Sequence, residues 1–358
     1  MSRVRVTAWD VARLAQVSQS AVSRAFTPGA SIATTTRERI HAAARTLGYR
    51  PNAIARALIT RRSNIIGMVV SYLDNLFYAA VLERLSQALE ARGLHVLLFM
   101  TADDDTDTVL REIQRFNVDS IVMLSATLSS SLARELAEGR VPVLLFNRGH
   151  DDADVNAVGS DNRAGGDLLG RLLLAAGHQR IAYVAGIADS TTNRDREAGF
   201  KQALAAQGAT LFARADGGYN HALAADATRS LFSGPGPYPD AIFAANDAMA
   251  LAVIDTLRHD LGLRVPTDVS VVGYDDVRQA AWPAYQLTTV RQPIDDMVTA
   301  AVEIIAAHLV GDAEPARKLA LPAVLALRRS ARLPADLSPF TTVTDHPDPN
   351  RSQDHAGL

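Results

Sequence analysis

The sequence predicts a small all-α head at the N-terminus, followed by a large α/β body in which parallel sheets form two lobes. Up to Leu47, apolar residues recur at helical spacing, and from Ile65 short apolar runs alternate with amphipathic segments. Strands that are apolar on both faces and separated by helices are typical of parallel sheets covered on two sides. The body has roughly 270 residues, more than one such sheet usually needs, so two lobes with a cleft between them are expected.

The head is predicted to contain three short helices. Thr7 is a suitable N-cap for the first, with Asp10 three residues later as its partner in a capping box. The second helix is predicted over 18–26, with a serine as its cap. The third is predicted over 36–47, and Gly48 stands at the position where helices commonly stop.

Seven apolar runs in the body are predicted as strands that are buried on both faces. They are Ile65–Val70, His95–Met100, Ser120–Ser125, Val141–Phe146, Ile181–Gly186, Ala241–Ala245 and Val269–Gly273. From Leu333 the chain is rich in Pro, Asp, Ser and Thr and lacks periodicity, so a disordered tail is expected.

The same patterns give a prediction of the domain bounds. A linker between head and body has helix potential, but it is too short to be a stable helix alone. The predicted bounds are 1–51 for the head, 52–64 for the hinge helix and linker, 65–332 for the body and 333–358 for the tail, with one lobe at about 65–161 and 291–320 and the other at about 162–290 and 321–332.

Charge is distributed unevenly along the chain. The whole sequence has 36 basic and 39 acidic residues, a net charge of −3. Residues 1–62 hold eleven arginines against only Asp10 and Glu38, so this part carries +9 and the rest of the chain −12. A small basic head on an acidic body suggests that the head binds a polyanion, with a solvated basic tail as the alternative.

Composition and motifs exclude several classes of site. The chain has no cysteine, which excludes disulfides, thiol chemistry and cysteine-ligated zinc. It has no Walker-type glycine loop, Rossmann fingerprint, HExxH or GxSxG motif, so an enzyme is not expected. Its first residues hold no apolar run like a signal peptide, and no stretch approaches the length of a membrane span. A cytoplasmic protein with no cofactor and no metal is therefore expected.

The second helix is predicted to have one packing side and one polar side. At about 100° per residue, the apolar positions fill one arc and four polar residues share the other. These four are Gln19, Ser20, Ser23 and Arg24. Glutamine can pair with adenine, arginine with guanine and serine with either, which suits a helix that reads a major groove. An ordinary amphipathic helix is the alternative, but the short turn between two helices, the +9 charge and the supporting third helix favour DNA.

Two segments resemble the LacI/GalR repressors, and the similarity extends from Val6 to about Arg332. The first is TAWDVARLAQVS over 7–18 with AVSRAF over 21–26, and the second is LGYRPN over 47–52 with ARAL over 55–58. The chain departs from the family at Ala21, where threonine is usual, and at Phe26, where a small aliphatic residue is common. The resemblance implies a helix-turn-helix head on a body like the periplasmic binding proteins.

The resemblance also implies how the head meets DNA. In the family, the residues that match Gln19, Ser20 and Arg24 read bases, and the stretch that matches Asn52–Ile59 is a hinge helix that orders only on the operator. There, the residue that matches Leu58 wedges into the minor groove and kinks the DNA. Residues expected to contact DNA are Thr7, Ser18, Gln19, Ser20, Ser23, Arg24, Asn52, Ala55, Arg56 and Leu58. Since each head reads one half-site, a homodimer or higher oligomer on a near-palindromic operator is expected.

Polar residues stand where several apolar runs of the body end. They include Asn147, Arg148, Asn246, Asp275 and Gln292. Such groups can bind a polyhydroxylated ligand at the carboxyl ends of strands, although each one taken singly can equally be a loop or turn residue.

The resemblance implies a fuller set of residues around an effector cleft. In the family, matching residues that line it are Phe77, Tyr78, Ser125, Asn147, Arg196, Tyr219, Asn246, Asp275 and Gln292. Arg148 is a second candidate cation, which favours an acidic sugar, and a solvent-facing loop arginine is the alternative.

The sequence therefore predicts a transcriptional repressor whose operator binding is controlled by a sugar or sugar acid held between two lobes. An activator, or a regulator that needs a corepressor, stays open because sequence gives neither the operator's place nor the sign of the response. A sugar-binding protein without DNA function is a further alternative, and the basic head argues against it.

Overall fold

The structure is a computed structural model that describes most of the chain. The described residues are 6–27, 29–50, 62–71, 73, 75–101, 106–124, 141–149, 155–311 and 315–340. The chain folds as two compact units, residues 1–63 and residues 64–358. The bounds predicted above for the hinge and the lobes stay predictions.

The first unit contains the three predicted helices. They are α1 (Ala8–Leu14), α2 (Gln19–Ala25) and α3 (Thr34–Leu47). Their apolar stripes meet in a small core in which Val11, Val22 and Ile40 are almost completely buried. The third helix begins at Thr34, two residues before the predicted start. It ends, as predicted, at Gly48, whose φ of +65° glycine adopts without strain.

The second unit is built on two sheets of six described strands each. The strands are β1 (Ile65–Val70), β2 (His95–Met100), β3 (Ser120–Leu124), β4 (Val143–Phe146), β5 (Asn156–Ser160), β6 (Ile181–Ala185), β7 (Ala213–Asp216), β8 (Ala241–Ala244), β9 (Ser270–Asp275), β10 (Thr288–Arg291), β11 (Lys318–Leu321) and β12 (Val324–Ala326). The first sheet has the order β11-β5-β4-β3-β1-β2 and the second β12-β10-β9-β8-β6-β7. Neighbouring strands are parallel except for β10 and β12, which confirms a two-lobed α/β body of mainly parallel sheets.

Helices cover these sheets and connect their strands. They are α4 (Leu76–Glu90), α5 (Thr106–Ile113), α6 (Asn162–Ala175), α7 (Thr191–Ala206), α8 (His221–Leu231), α9 (Asp247–Asp255) and α10 (Ile294–Leu309). In the described residues, the main chain crosses from one sheet to the other after β5, after β10 and after β11. The loops at the carboxyl ends of both sheets contribute to one cavity, the place where open parallel sheets bind ligands.

The structure differs from the predicted strand set at the sheet edges. The run His95–Met100 is a strand but not a doubly buried one, because β2 is the edge of its sheet and leaves Leu98 and Met100 exposed. Strands β5, β7, β10, β11 and β12 were not among the predicted runs. They are three to five residues long and mix small, polar and apolar residues, so they carry no continuous apolar signal.

The segment after Leu333 also differs from the prediction of a disordered tail. Residues 333–340 are described and end in a 3₁₀ turn at Ser338–Phe340. The Phe340 side chain is buried in the main core of the body, and burial of its ring removes a large apolar surface from water, which favours order in this part of the predicted tail. The rest of the predicted tail, 341–358, lies outside the described residues. None of the described helices has the length and apolar character needed to cross a membrane.

Candidate functional site

The N-terminus of α2 is fixed by a serine cap, as the sequence predicts. The Ser18 hydroxyl accepts a hydrogen bond from the backbone N–H of Ala21 at 3.2 Å, and its Oγ lies 2.9 Å from that of Ser20. The cap satisfies one of the backbone donors that the first helical turn leaves free. It therefore defines where the polar face of α2 begins.

The two sides of α2 differ in exposure as the angular map predicts. Gln19, Ser20, Ser23 and Arg24 are all exposed, whereas the apolar residues between them are buried. Amide, hydroxyl and guanidinium groups thus project from one surface of a short helix, where they can reach base edges. That these four residues contact DNA stays a prediction.

Thr7 begins α1 in the predicted capping box. Its backbone N–H and its hydroxyl donate to Oδ2 of Asp10 at 3.0 and 2.7 Å, and Asp10 also pairs with Arg13. The hydrogen bonds from Thr7, helped by Arg13, hold the pKa of Asp10 below its ordinary value. Thr7 itself is exposed. Five of the predicted site residues lie outside the described residues: Asn52, Ala55, Arg56, Leu58 and Ser125.

In the second unit, a cavity of about 210 Å³ lies between the two lobes. Its lining residues are mostly polar and come from segments next to both sheets. They are Asn75, Tyr78, Asn147, Arg148, Thr192, Arg196, Tyr219, Asn246 and Asp275. Seven of these nine were predicted from the sequence, and the fold brings them together from distant segments.

Arg196, on the first turns of α7, is the most enclosed cation of the cavity, with 2% of its surface exposed. Its Nε donates to Oδ1 of Asn162 at 2.8 Å and its Nη1 to the carbonyl of Ala245 at 2.6 Å. Its Nη2 lies 3.6 Å from Oδ1 of Asp275, and its guanidinium stacks 3.7 Å from the centre of the Tyr274 ring. These contacts fix the direction in which the guanidinium faces the cavity.

Close packing of α6 on α7 places Arg196 at this point. A Cβ on Gly166 would lie 2.2 Å from the carbonyl oxygen of Arg196, and one on Gly199 would lie 1.9 Å from that of Arg163. Only glycine fits where two helix backbones approach this closely. The glycines therefore set the distance between the helices and with it the position of the guanidinium.

Asp275 ends β9 and supplies the carboxylate of the cavity. Besides Arg196, it accepts a hydrogen bond from Nε2 of Gln292 at 2.7 Å. Burial raises the pKa of Asp275 to about 6, although Arg196 and Gln292 favour its charged form. A carboxylate and a guanidinium side by side can accept from and donate to neighbouring hydroxyls of one ligand.

Asn246 and Asp247 follow β8 and start α9. The Asn246 side-chain oxygen caps the helix by accepting from the N–H of Met249 at 3.0 Å, which leaves its Nδ2 for the cavity. Asp247 lies behind it, completely buried, and accepts from the Thr289 hydroxyl at 2.6 Å. Burial, followed by the nearby charge of Asp275, raises the pKa of Asp247 to about 8.

The wall of the first lobe is formed around Asn147. This residue has φ of +68°, and its Nδ2 lies 3.3 Å from the hydroxyl of Tyr78. Burial raises the pKa of that hydroxyl. Arg148 is 6% exposed, lines the cavity and lies 5.9 Å from the centre of the Tyr219 ring. The alternative of a solvent-facing Arg148 is therefore wrong.

Two predicted cleft residues do not line the cavity. Phe77 points into the core of the first lobe, 5.3 Å from the Tyr78 ring, because an aromatic ring at this helical position packs against apolar neighbours. Gln292 is buried one layer back, where it supports Asp275. Two lining residues were missed, Asn75 and Thr192.

Both missed residues lie just before or at the start of a helix. Asn75 caps α4 by accepting from the N–H of Phe77 at 3.1 Å. Thr192, on the first turn of α7, lies 3.0 Å from the Tyr219 hydroxyl. A polar residue at the N-terminus of a predicted helix was the available signal, but it is shared by every capped helix in the chain.

Some buried polar atoms at the cavity have no hydrogen-bond partner among the described residues. They include Oδ1 of Asn147 in the first lobe and Nδ2 of Asn246 in the second. A buried polar atom without a partner costs free energy, so a polar ligand that pairs with both would be stabilised and would hold the lobes together.

Two segments of the chain match known protein families. Residues 7–52 match the family described as bacterial regulatory proteins, lacI family, and residues 171–331 match the periplasmic binding protein-like domain. The ribose operon repressor of Escherichia coli (strain K12) is 30% identical over 328 residues, which are 90% of this chain and 98% of that protein.

Two solved structures extend this similarity to three dimensions. The lac repressor dimer bound to operator and the anti-inducer ONPF is 28% identical, with a TM-score of 0.82 over 91% of this chain and 99% of that one. The complex of the transcriptional regulator CelR with cellobiose is 31% identical, with a TM-score of 0.69 over 91% of this chain and 100% of that one. By its sequence, its helix-turn-helix head and its two-lobed body, the chain belongs to the lacI family of bacterial regulatory proteins.

Proposed function

We propose that this protein is a transcriptional repressor that binds operator DNA through α2 and releases it when a sugar or sugar acid enters the cavity between the lobes. The observation that carries the proposal is the cavity itself. It holds a buried guanidinium and a buried carboxylate, Arg196 and Asp275, among amide and hydroxyl groups. That combination suits a small ligand with several hydroxyls, each of which both donates and accepts.

The charge of the cavity narrows the ligand class. The guanidinium of Arg148 is a second cation at the cavity. It lies on the wall formed by the first lobe, whereas Arg196 belongs to the second lobe. It supports a carboxylate on the ligand, because guanidinium groups bind carboxylates with paired hydrogen bonds.

The DNA partner follows from the head. One α2 helix reads a half-site, so a two-fold symmetric homodimer would match a near-palindromic operator. The lac repressor dimer bound to operator is an example of such a dimer. We also propose that the protein is cytoplasmic, because a repressor acts where its operator DNA lies. Because the related proteins are regulators, we also propose that the chain has no enzymatic activity.

The test begins with the full-length protein and a binding-site selection from random duplex DNA. The selected operator, labelled with a fluorophore, is then titrated by anisotropy in the presence of aldoses, uronic acids and aldonic acids. The proposal expects a near-palindromic site and a loss of operator affinity with at least one of these ligands. A gain of affinity would make the protein corepressor-dependent, and the absence of any sequence preference would contradict its role as a repressor.

A further inference from the structure

The turn that follows β9 has an unusual main-chain conformation. Asp275 has φ of +129° and Asp276 has φ of +57°, a region that residues other than glycine rarely adopt. Such conformations persist only where surrounding contacts fix them, and they concentrate at functional sites. Since Asp275 carries the carboxylate of the cavity, the contacts that fix this turn also decide where that carboxylate points.

Asp276 is held by two arginines at once. Its Oδ2 accepts from Nε of Arg291 at 2.6 Å, and its Oδ1 accepts from Nη2 of Arg328 at 2.6 Å. The Asp276 side chain is 6% exposed and that of Arg328 is 15% exposed, so water competes little with this ion pair, whereas the Arg291 side chain is 39% exposed. Each carboxylate oxygen thus has its own cationic donor, and rotation of the side chain would break both pairs.

The two arginines come from the segments that cross between the lobes. Arg291 is the last residue of β10, directly before the chain crosses to α10 in the first lobe. Arg328 follows β12, which is the first strand after the chain crosses from β11 in the first sheet back to the second sheet. Arg328 is itself anchored, since its Nη1 donates to the carbonyl of Leu287 at 2.8 Å. Asp276 therefore connects the turn to two of the crossings.

Asp247 holds the residue that follows the turn. Its Oδ2 accepts the backbone N–H of Val277 at 2.9 Å, and its Oδ1 accepts the hydroxyl of Thr289 at 2.6 Å. The turn is thus fixed at two successive residues. Ion pairs hold the side chain of Asp276, and a hydrogen bond holds the backbone N–H of Val277. Neither Asp276 nor Arg328 lines the cavity, so both act on a ligand only through Asp275.

We propose that Asp276, together with Arg291 and Arg328, is a positioning residue that holds Asp275 in the cavity and ties it to the interlobe crossings. The part of this inference that concerns a ligand rests on the proposed function. The positioning itself does not. A change in the crossings when the lobes rotate would act directly on the turn, so this network links occupation of the cavity to lobe movement.

A structural experiment tests the positioning without any ligand. Crystal structures of the full-length parent, Asp276→Asn and Arg328→Gln are compared with that of Asp268→Asn. Asp268 is a matched control, because it pairs with Arg264 through both carboxylate oxygens, at 2.6 and 2.9 Å, but on the surface of the second lobe. In Asp276→Asn the turn should leave the positive-φ region and Asp275 should move out of salt-bridge range of Arg196, now 3.6 Å away. An unchanged turn and an unchanged Arg196–Asp275 distance in Asp276→Asn would overturn the inference.

A binding experiment tests the consequence. With the sugar or sugar acid that the parent binds most tightly in a calorimetric screen, Asp276→Asn should raise the Kd by roughly tenfold or more. Arg328→Lys, which keeps a cation beside Asp276, should recover much of the affinity that Arg328→Gln loses, whereas a merely destabilising role would not distinguish them. Asp268→Asn should bind like the parent. Equal affinity of the parent and Asp276→Asn would overturn the inference. If the parent binds no such ligand, the proposed function fails, while the crystal structures still decide the positioning.

Discussion

The polar face of α2 and the cavity between the lobes are built in opposite ways. The four polar residues of α2 come from one seven-residue helix and are exposed. The cavity residues come from segments between Asn75 and Asp275, and most of them are buried. The first surface is local and open, whereas the second exists only in the folded body. Substitutions on α2 should therefore change binding with little effect on stability, and substitutions in the cavity should change both.

The largest effect is expected for Arg196→Ala. The substitution leaves Asp275 as a buried charge without its partner. It also leaves the side-chain oxygen of Asn162 and the carbonyl of Ala245 without the hydrogen bonds that Arg196 donates. Loss of one partner of a buried ion pair usually lowers the free energy of unfolding by about 3–5 kcal/mol. Denaturant unfolding of the full-length protein measures this, with Arg264→Ala as the control. Arg264 pairs with Asp268, but its side chain is 72% exposed, so little change is expected there. Similar losses in the two variants would remove the contrast between buried and open sites.

A smaller effect on the same site is expected for Gly166→Ala. The added Cβ meets the carbonyl of Arg196 and forces α6 and α7 apart, and overpacking of this kind costs about 1–3 kcal/mol. Gly149→Ala is the control, because a Cβ there meets no atom within 4 Å. Thermal unfolding of both variants and a crystal structure of Gly166→Ala check the result. An unshifted guanidinium in that structure would show that the glycine spacing does not position Arg196.

On the head, Arg24→Ala should weaken operator binding without destabilising the fold. Loss of one bidentate contact to a base typically costs about 1–3 kcal/mol and relaxes the preference at one base position. Arg45→Ala, an exposed arginine on α3, is the matched control and should leave the sequence preference intact. Binding-site selection with both variants decides between them. If Arg24→Ala selects the parent's sequence, Arg24 does not read a base.

The smallest effect is expected for Ser18→Ala. It removes the side-chain acceptor for the N–H of Ala21, and loss of a serine cap typically costs about 1 kcal/mol of stability. Ser23→Ala changes the same residue type within the same helix without removing a cap, so it is the control. Both unfolding free energies follow from denaturant titration of the full-length protein. A loss for Ser23→Ala as large as that for Ser18→Ala would mean that the cap contributes nothing of its own.

The same contrast explains what could be predicted from the sequence. The three helices of the head are encoded by local spacing, and the exposed arc of α2 follows from 3.6 residues per turn alone. Six of the eight described internal strands were predicted for a similar reason, because burial on both faces leaves a continuous apolar run, whereas β5 and β10 mix polar and apolar residues and were missed. The edge strand β2 carries the same apolar signal as a central strand, so its exposed Leu98 and Met100 could not be foreseen.

In the cavity, residue type was predictable but orientation was not. Gln292 and Phe77 were expected to line the cleft, but whether a side chain faces a cavity or lies one layer behind it depends on packing between distant segments. Thr192 was missed because its partner, the Tyr219 hydroxyl, lies 27 residues away along the chain. The left-handed turn at Asp275 and Asp276 gave no signal either, since neither residue is a glycine.

If the cavity controls the head, ligand binding and operator binding must be coupled, and this coupling can be measured in both directions. Calorimetry gives the ligand's Kd for the free protein and for the protein saturated with operator, and anisotropy gives the operator's Kd with and without ligand. Because coupling between two sites is reciprocal, the operator should weaken ligand binding by the same factor by which the ligand weakens operator binding. Ligand affinity that is identical with and without operator would show that the cavity does not control DNA binding.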